Sequence, residues 1–177
     1  MDTEVQQILE LLIDEDLINY KCFDILKEKL KESPQFRETI KLGIEAGFIS
    51  KFPRELFERV CEQNIRAPFE PIQLFIDGAN LGNCTIMSKI VSYSLPQCEI
   101  CGGTLGILEG TKNSPDGRHT WISAEGNIID TSLMITISEA FKQNLGYIEE
   151  NRYNPDLDQY YRVAKDFAND KNLRSKK

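Results

Sequence analysis

The apolar positions divide the chain into two halves with different rhythms. From residue 2 to residue 66 the spacing is helical throughout. Val5, Ile8, Leu9, Leu11 and Leu12 fall on one helical stripe, and Leu17, Tyr20, Cys22, Ile25, Leu26 and Leu30 on a second. Ser33-Pro34 interrupts the pattern, because proline restricts the residue before it and starts helices well. A third helix is predicted from Pro34 to Ala46, closed by Gly47, and a fourth from about Pro53 through Phe57, Val60 and Cys61 to about Asn64. Ala67-Pro68-Phe69-Glu70-Pro71 carries two prolines and reads as a connector. The division expected is a helical N-terminal region, 1–66, and a second unit, 67–177.

Past the connector the period changes. Ile72, Leu74 and Ile76 alternate as in a short strand, and Asp77 to Asn83 is loop, rich in residues that accept unusual backbone angles. From Cys84 to Ser94 the helical rhythm returns, with Ile86, Met87, Ile90 and Val91 on one face and Leu95-Pro96 as its stop. Residues 98–109, 118–123 and 127–131 read as three strands. Ser138 to Gln143 reads as a short helix, Tyr147 to Asn154 as irregular or strand-like, and Pro155 to Ala168 as a terminal amphipathic helix. The fold class expected is α+β.

Composition narrows the function classes. The 177 residues suit one domain, or one domain with a helical extension, and 41% hydrophobic residues are enough for an ordinary core. A net charge of −7, with the only basic cluster at the Lys171–Lys177 tail, argues against nucleic acid as a partner, since phosphate binding needs clustered Lys and Arg. No apolar run approaches membrane-spanning length, and Met1-Asp2-Thr3-Glu4 lacks the basic start of a secretion signal. A cytoplasmic protein with no membrane partner is expected. The cysteines (Cys22, Cys61, Cys84, Cys98 and Cys101) are odd in number and without a secretory context, so reduced thiols are the default. Cys22 and Cys61 sit in apolar helical patterns and read as small buried hydrophobes.

The candidate chemistry lies between Gly82 and Met134. Asn83 is a good N-cap, which puts Cys84 in the first turn of its helix, where unpaired N–H groups favour a thiolate. The Cys84 N–H and an amide of Asn80 or Asn83 are candidates for holding an oxyanion. The chain's one histidine, His119, and Asp130 flank a predicted hairpin. A two-residue loop at Ala124-Glu125 sets His119 opposite Asp130. A loop at Glu125-Gly126 sets His119 opposite Ser132, with Asp130 on the same face two residues away. An odd-length loop would send the two side chains to opposite faces.

Cysteine at a helix start, a strand bearing His119-Thr120-Trp121, and a strand ending in Asp130 together resemble the transglutaminase-like core of the papain-type cysteine superfamily. The resemblance covers roughly residues 72–135. It implies an antiparallel sheet packed on the cysteine-bearing helix, with Cys84 as nucleophile, His119 as acid–base and Asp130 as the orienting carboxylate. Trp121 matches the aromatic residue often found two places after the histidine, and is taken with Asn80 and Asn83 as substrate- or oxyanion-binding. Where many relatives have Trp or Phe after the cysteine, this chain has Thr85-Ile86. The activity implied is acyl transfer through a thioacyl intermediate on a peptide or protein amide, without cofactor. Water as acceptor makes a protease or amidase, and a primary amine makes a transglutaminase. The competing reading is a non-catalytic interaction module that keeps the fold.

Cys98-Glu99-Ile100-Cys101 has the spacing of half a zinc site, but no matching second pair follows, and no metal is assigned. The glycines after it match neither a P-loop nor a dinucleotide fingerprint. Tyr147, Tyr153, Tyr160 and Tyr161 are candidates for lining a cleft, with helix packing and sheet edge the preferred reading.

Overall fold

The computed structural model describes residues 2–13, 20–63, 84–92, 94–95, 97–112 and 114–155, with the backbone alone at 20–23, 57, 60–63 and 86. The predicted strand at Ile72–Ile76, the connector, Asn80, Asn83 and the predicted helix from Pro155 to Ala168 lie wholly or almost wholly outside these residues.

Three helices form the N-terminal layer: α1 (Thr3–Leu12), α2 (Tyr20–Glu32) and α3 (Pro34–Glu45). Local chemistry sets two of their starts. The Asp2 carboxylate accepts from the Glu4 N–H at the head of α1, and Ser33 Oγ accepts from the Phe36 N–H at 3.1 Å with Pro34 opening α3. Arg37 joins the three helices. Its guanidinium donates to the carboxylates of Asp2 and Glu4 on the α1 side and to the Leu30 carbonyl of α2.

After α3 the chain departs from the all-helical reading of residues 2–66. Ile49–Lys51 is a strand, β1, followed by α4 (Arg54–Gln63). Three residues are too few to show a period, and only the pairing Ile49↔Ile137, Ser50↔Thr136, Lys51↔Ile135 reveals the strand. Next come α5 (Cys84–Ser92), β2 (Cys98–Leu105), β3 (Arg118–Ala124), β4 (Asn127–Asp130), β5 (Ile135–Ser138) and β6 (Tyr147–Tyr153). The strand expected over 98–109 stops at Leu105 and passes into a 3₁₀ turn at Gly106–Leu108, and the short helix expected at 138–143 is 3₁₀, Glu139–Leu145.

The six strands make one antiparallel sheet in the order β1-β5-β4-β3-β2-β6, so the fold is α+β. Alternation sorts the side chains onto two faces. Trp121, Ile128, Ile135, Ile137, Leu105 and Tyr147 point to one face, where they share a single buried core with Val5, Ile8, Leu9 and Leu12 of α1, Leu26 and Leu30 of α2 and Ile40 of α3. The N-terminal helices therefore roof the same sheet that carries the candidate site. The opposite face carries Ile100 and Ile122, and α5 lies there across β2 and β3 with Met87, Ile90 and Val91 buried. Among the described residues no helix is long and apolar enough to cross a membrane.

Candidate active site

The hairpin that joins β3 to β4 turns at Glu125-Gly126, both with positive φ (51° and 77°), which is the two-residue turn whose twist suits antiparallel strands. The ladder pairs Ala124 with Asn127, Ser123 with Ile128 and Ile122 with Ile129. Of the two expected registers this is the second, in which His119 and Asp130 share a face on a diagonal. His119 Nε2 lies 2.7 Å from Asp130 Oδ2, with both side chains essentially out of solvent.

Asp130 is fully buried, so its charge depends on protein donors. Oδ1 accepts from the backbone N–H groups of Ser132 and Leu133, each at 2.9 Å, where the chain turns back after β4. Oδ2 accepts from the Tyr147 hydroxyl at 2.6 Å as well as facing His119. Burial alone would raise the carboxyl pKa, but His119, Tyr147 and the backbone donors override it and hold the group below its ordinary range. The effect on the partner is reciprocal. Burial disfavours imidazolium, yet the Asp130 charge and hydrogen bond, with a contribution from Cys84, raise His119 to about 10.

Cys84 opens α5 and is only partly buried. Nε2 of His119 is committed to Asp130, which leaves Nδ1 for the thiol. Burial would push the Cys84 pKa up, but interaction with His119 and with the backbone and side chain of Thr120 brings it below the ordinary thiol value. The lowered thiol and the raised imidazole both favour the thiolate–imidazolium form of the pair.

Thr120 also locates the helix. Its hydroxyl shares a 2.8 Å hydrogen bond with Thr85, and its carbonyl accepts from Ser88 Oγ at 3.4 Å, so the first turn of α5 is tied to the strand that carries His119. An open cleft of about 450 Å³ begins at Cys84 and His119 and runs over Thr120 and Gly102 to Asn151 and Tyr153.

Trp121 does not reach this cleft. It was expected at the substrate surface, but it is fully buried and packs edge-on against Tyr147, ring centroids 5.1 Å apart. Two places after a histidine on a strand means the same face, and here that face is the core. The Trp121 ring also lies beside that of His119, centroids 6.1 Å apart, on the core side of the sheet. Asn80 and Asn83 are outside the described residues. Cys98 and Cys101, three apart on β2, face opposite sides of the sheet. Cys98 Sγ donates to the Ser92 carbonyl at 3.5 Å, while Cys101 is in the core. Burial, with Glu149 alongside, pushes Cys101 up to about 12. Among the described residues no three His, Cys, Asp or Glu side chains gather as a metal site.

Tyr147, Thr120 and the glycine pair Gly102-Gly103 were not singled out from sequence for this site. Tyr147 carries no local signal for Asp130, 17 residues upstream. Thr120 lies inside the His119-Thr120-Trp121 motif, and a hydroxyl between two residues of the opposite face was the available clue.

No protein-family model, curated protein or solved structure matches the chain.

Proposed function

We propose that the protein is a cysteine-dependent acyl-transfer enzyme that hydrolyses an amide bond of a peptide or protein through Cys84, His119 and Asp130. The observation that carries the reading is the ordered line of three groups: a partly exposed thiol at a helix start, an imidazole beside it, and a buried carboxylate 2.7 Å from the imidazole's far nitrogen. A buried histidine that served only to fill space would not need a carboxylate with three further donors, nor a lowered thiol at its other side. An antiparallel sheet with the cysteine-bearing helix across it is what the sequence resemblance to the transglutaminase-like core implies, and it supports the same assignment of roles.

In the proposed reaction the Cys84 thiolate attacks the carbonyl carbon and forms the C–S bond. The Cys84 N–H is positioned at a helix start to receive the developing oxyanion. As the C–N bond breaks, His119 gives its proton to the leaving amine. Water then attacks the thioester, its proton passes to His119, the C–S bond breaks, and thiolate and imidazolium are restored. Asp130 keeps its charge throughout and holds the ring by Nε2.

The test is the pH dependence of Cys84 alkylation by iodoacetamide, read by mass spectrometry in the wild type, His119→Ala and Cys84→Ser. Selective labelling well below the usual thiol pKa of about 8.5, lost without His119, is the expected result. Labelling at the rate of an ordinary thiol, indifferent to His119, overturns the enzyme reading in favour of a non-catalytic interaction module.

A further inference from the structure

Thr120, Gly102 and Asn151 form one row across three strands: Thr120 pairs with Gly102, and Gly102 pairs with Asn151 on its other side. All three face the side of the sheet on which α5 and Cys84 lie. Gly102 contributes no side chain, and its place is taken by its neighbour. A Cβ built there would meet Asn151 Oδ1 at 2.6 Å, with Cγ and Nδ2 at 3.3 Å. The cleft floor beside the nucleophile is therefore a carboxamide laid flat over a glycine. One row further along the same face of β6 stands Tyr153, 40% exposed and paired with Ile100, and it lines the cleft with Asn151.

A carboxamide offers one acceptor and a donor side by side, which matches a peptide backbone. Among the described residues the charges at the rim face one another, Arg118 pairing with Glu150 at 2.6 Å and with Asp116 at 3.5 Å, and the cleft floor of Thr120, Gly102 and Asn151 carries no charge. The volume, about 450 Å³, falls within the range of about 300–1,000 Å³ usual for small-ligand sites. Two strand spacings separate Thr120 from Asn151, about 10 Å, which about three residues of extended chain cover. Direction follows from the chemistry. The leaving amine must take its proton from His119, whose side chain is on the opposite face from Thr120, so the acyl side of the substrate takes the route over Thr120 and Gly102.

Resting on the acyl-transfer reading above, we propose that this cleft holds an extended, uncharged peptide acyl donor. The donor crosses β3, β2 and β6 away from Cys84, its backbone pairs with the Asn151 carboxamide, and an apolar third residue packs on Tyr153. Asn151 and Tyr153 are then specificity-determining residues.

The experiment compares rates of Cys84 modification by acetyl-Leu-Gly-Gly chloromethyl ketone, acetyl-Gly chloromethyl ketone and iodoacetamide in the wild type, Asn151→Ala and Tyr153→Ala. The expected result is a saturating reaction with the tripeptide reagent, about tenfold or more faster than with the single-residue reagent, one well-made hydrogen bond being of that order. That preference, taken relative to iodoacetamide, falls in both variants. Equal rates for the two ketones, or a preference that survives both substitutions, overturns the subsite while fast iodoacetamide labelling leaves the acyl-transfer reading standing. A Cys84 that reacts with all three reagents as an ordinary thiol overturns both.

Discussion

The Tyr147 hydroxyl donates to Asp130 at 2.6 Å, on the same carboxylate oxygen that faces His119 Nε2 at 2.7 Å. A residue of β6 thereby fixes the orientation of a carboxylate on β4. Tyr147→Phe keeps the ring and its edge contact with Trp121 but removes this donor. Hydrogen bonds to charged groups contribute about 1.5–3 kcal/mol, and a loss of that size is expected in urea unfolding near neutral pH. The Asp130 pKa is depressed in the folded protein, so its contribution is present above about 3.9 and is lost as pH falls through the folded value. Weakening the anion raises that folded value, and the acid-unfolding midpoint is expected to move up. An unchanged midpoint would remove Tyr147 from the site.

His119 makes the opposite contribution at the alkaline end. Its folded pKa is raised to about 10, so its stabilisation is complete below its unfolded value of about 6.5 and declines as pH rises through about 10. The lowered Cys84 pKa acts the other way, adding stability toward its own unfolded value. Cys84→Ser removes that opposing term. In this background His119 loses the Cys84 contribution and keeps that of Asp130, so the urea midpoint is expected to fall as pH rises above 7, and the slope to diminish in Cys84→Ser/His119→Gln. A slope undiminished without His119 would refute the raised pKa.

Three cysteines have described side chains, and their environments order their reactivity. Cys84 is partly exposed with a lowered pKa, whereas burial raises Cys98 and raises Cys101 to about 12. Native labelling at pH 7 followed by peptide mapping is expected to modify Cys84 and to leave Cys98 and Cys101 until the protein is unfolded. Labelling of Cys101 at a comparable rate would contradict its place in the core.

The parts of this architecture that repeat locally were legible in the sequence. The stripe of α1, the Ser33-Pro34 break that opens α3, the helix starting at Cys84 and the parity of the β3–β4 hairpin all follow from residues within a few positions of one another. What was not legible depends on pairing at long range. β1 and β5 are short, and each acquires meaning only from its partners, β1 from β5 and β5 from β1 and β4. Trp121 shows the same limit from the other side. Its spacing from His119 established a shared face, but only the docking of α1, α2 and α3 made that face the interior.

Gly103 is the place where the sheet accommodates the site. It pairs with His119, and the β2–β6 register shifts between Gly102 and Gly103. A Cβ at Gly103 would fall 1.9 Å from the Ile148 carbonyl oxygen, a backbone atom that a rotamer change cannot move. Gly103→Ala must therefore push β6 away, and Tyr147 with it. A destabilisation of about 1–3 kcal/mol or more is expected in thermal or urea unfolding. Gly110→Ala, with nothing within 4 Å of the added carbon but φ at +78°, would register backbone strain alone and serves as the comparison.

Thr120→Val separates the hydroxyl from the backbone at Cys84. The substitution keeps the β-branched shape that suits β3 and leaves the Thr120 N–H in place. It removes the partner of Thr85 at 2.8 Å and one of the contacts that lowers Cys84. Thr85 is exposed, so water can satisfy its hydroxyl, and the stability loss is expected at about 0.5–1.5 kcal/mol. The larger effect is expected in titration. His119 remains the dominant group lowering the thiol, so the pH profile of alkylation should shift upward without reaching that of His119→Ala. Thr120→Ser restores the hydroxyl without the methyl group and is expected to return the profile to the wild-type position. A profile unmoved by Thr120→Val would show that the tie to α5 is structural only, and that the backbone N–H and His119 alone set the thiolate.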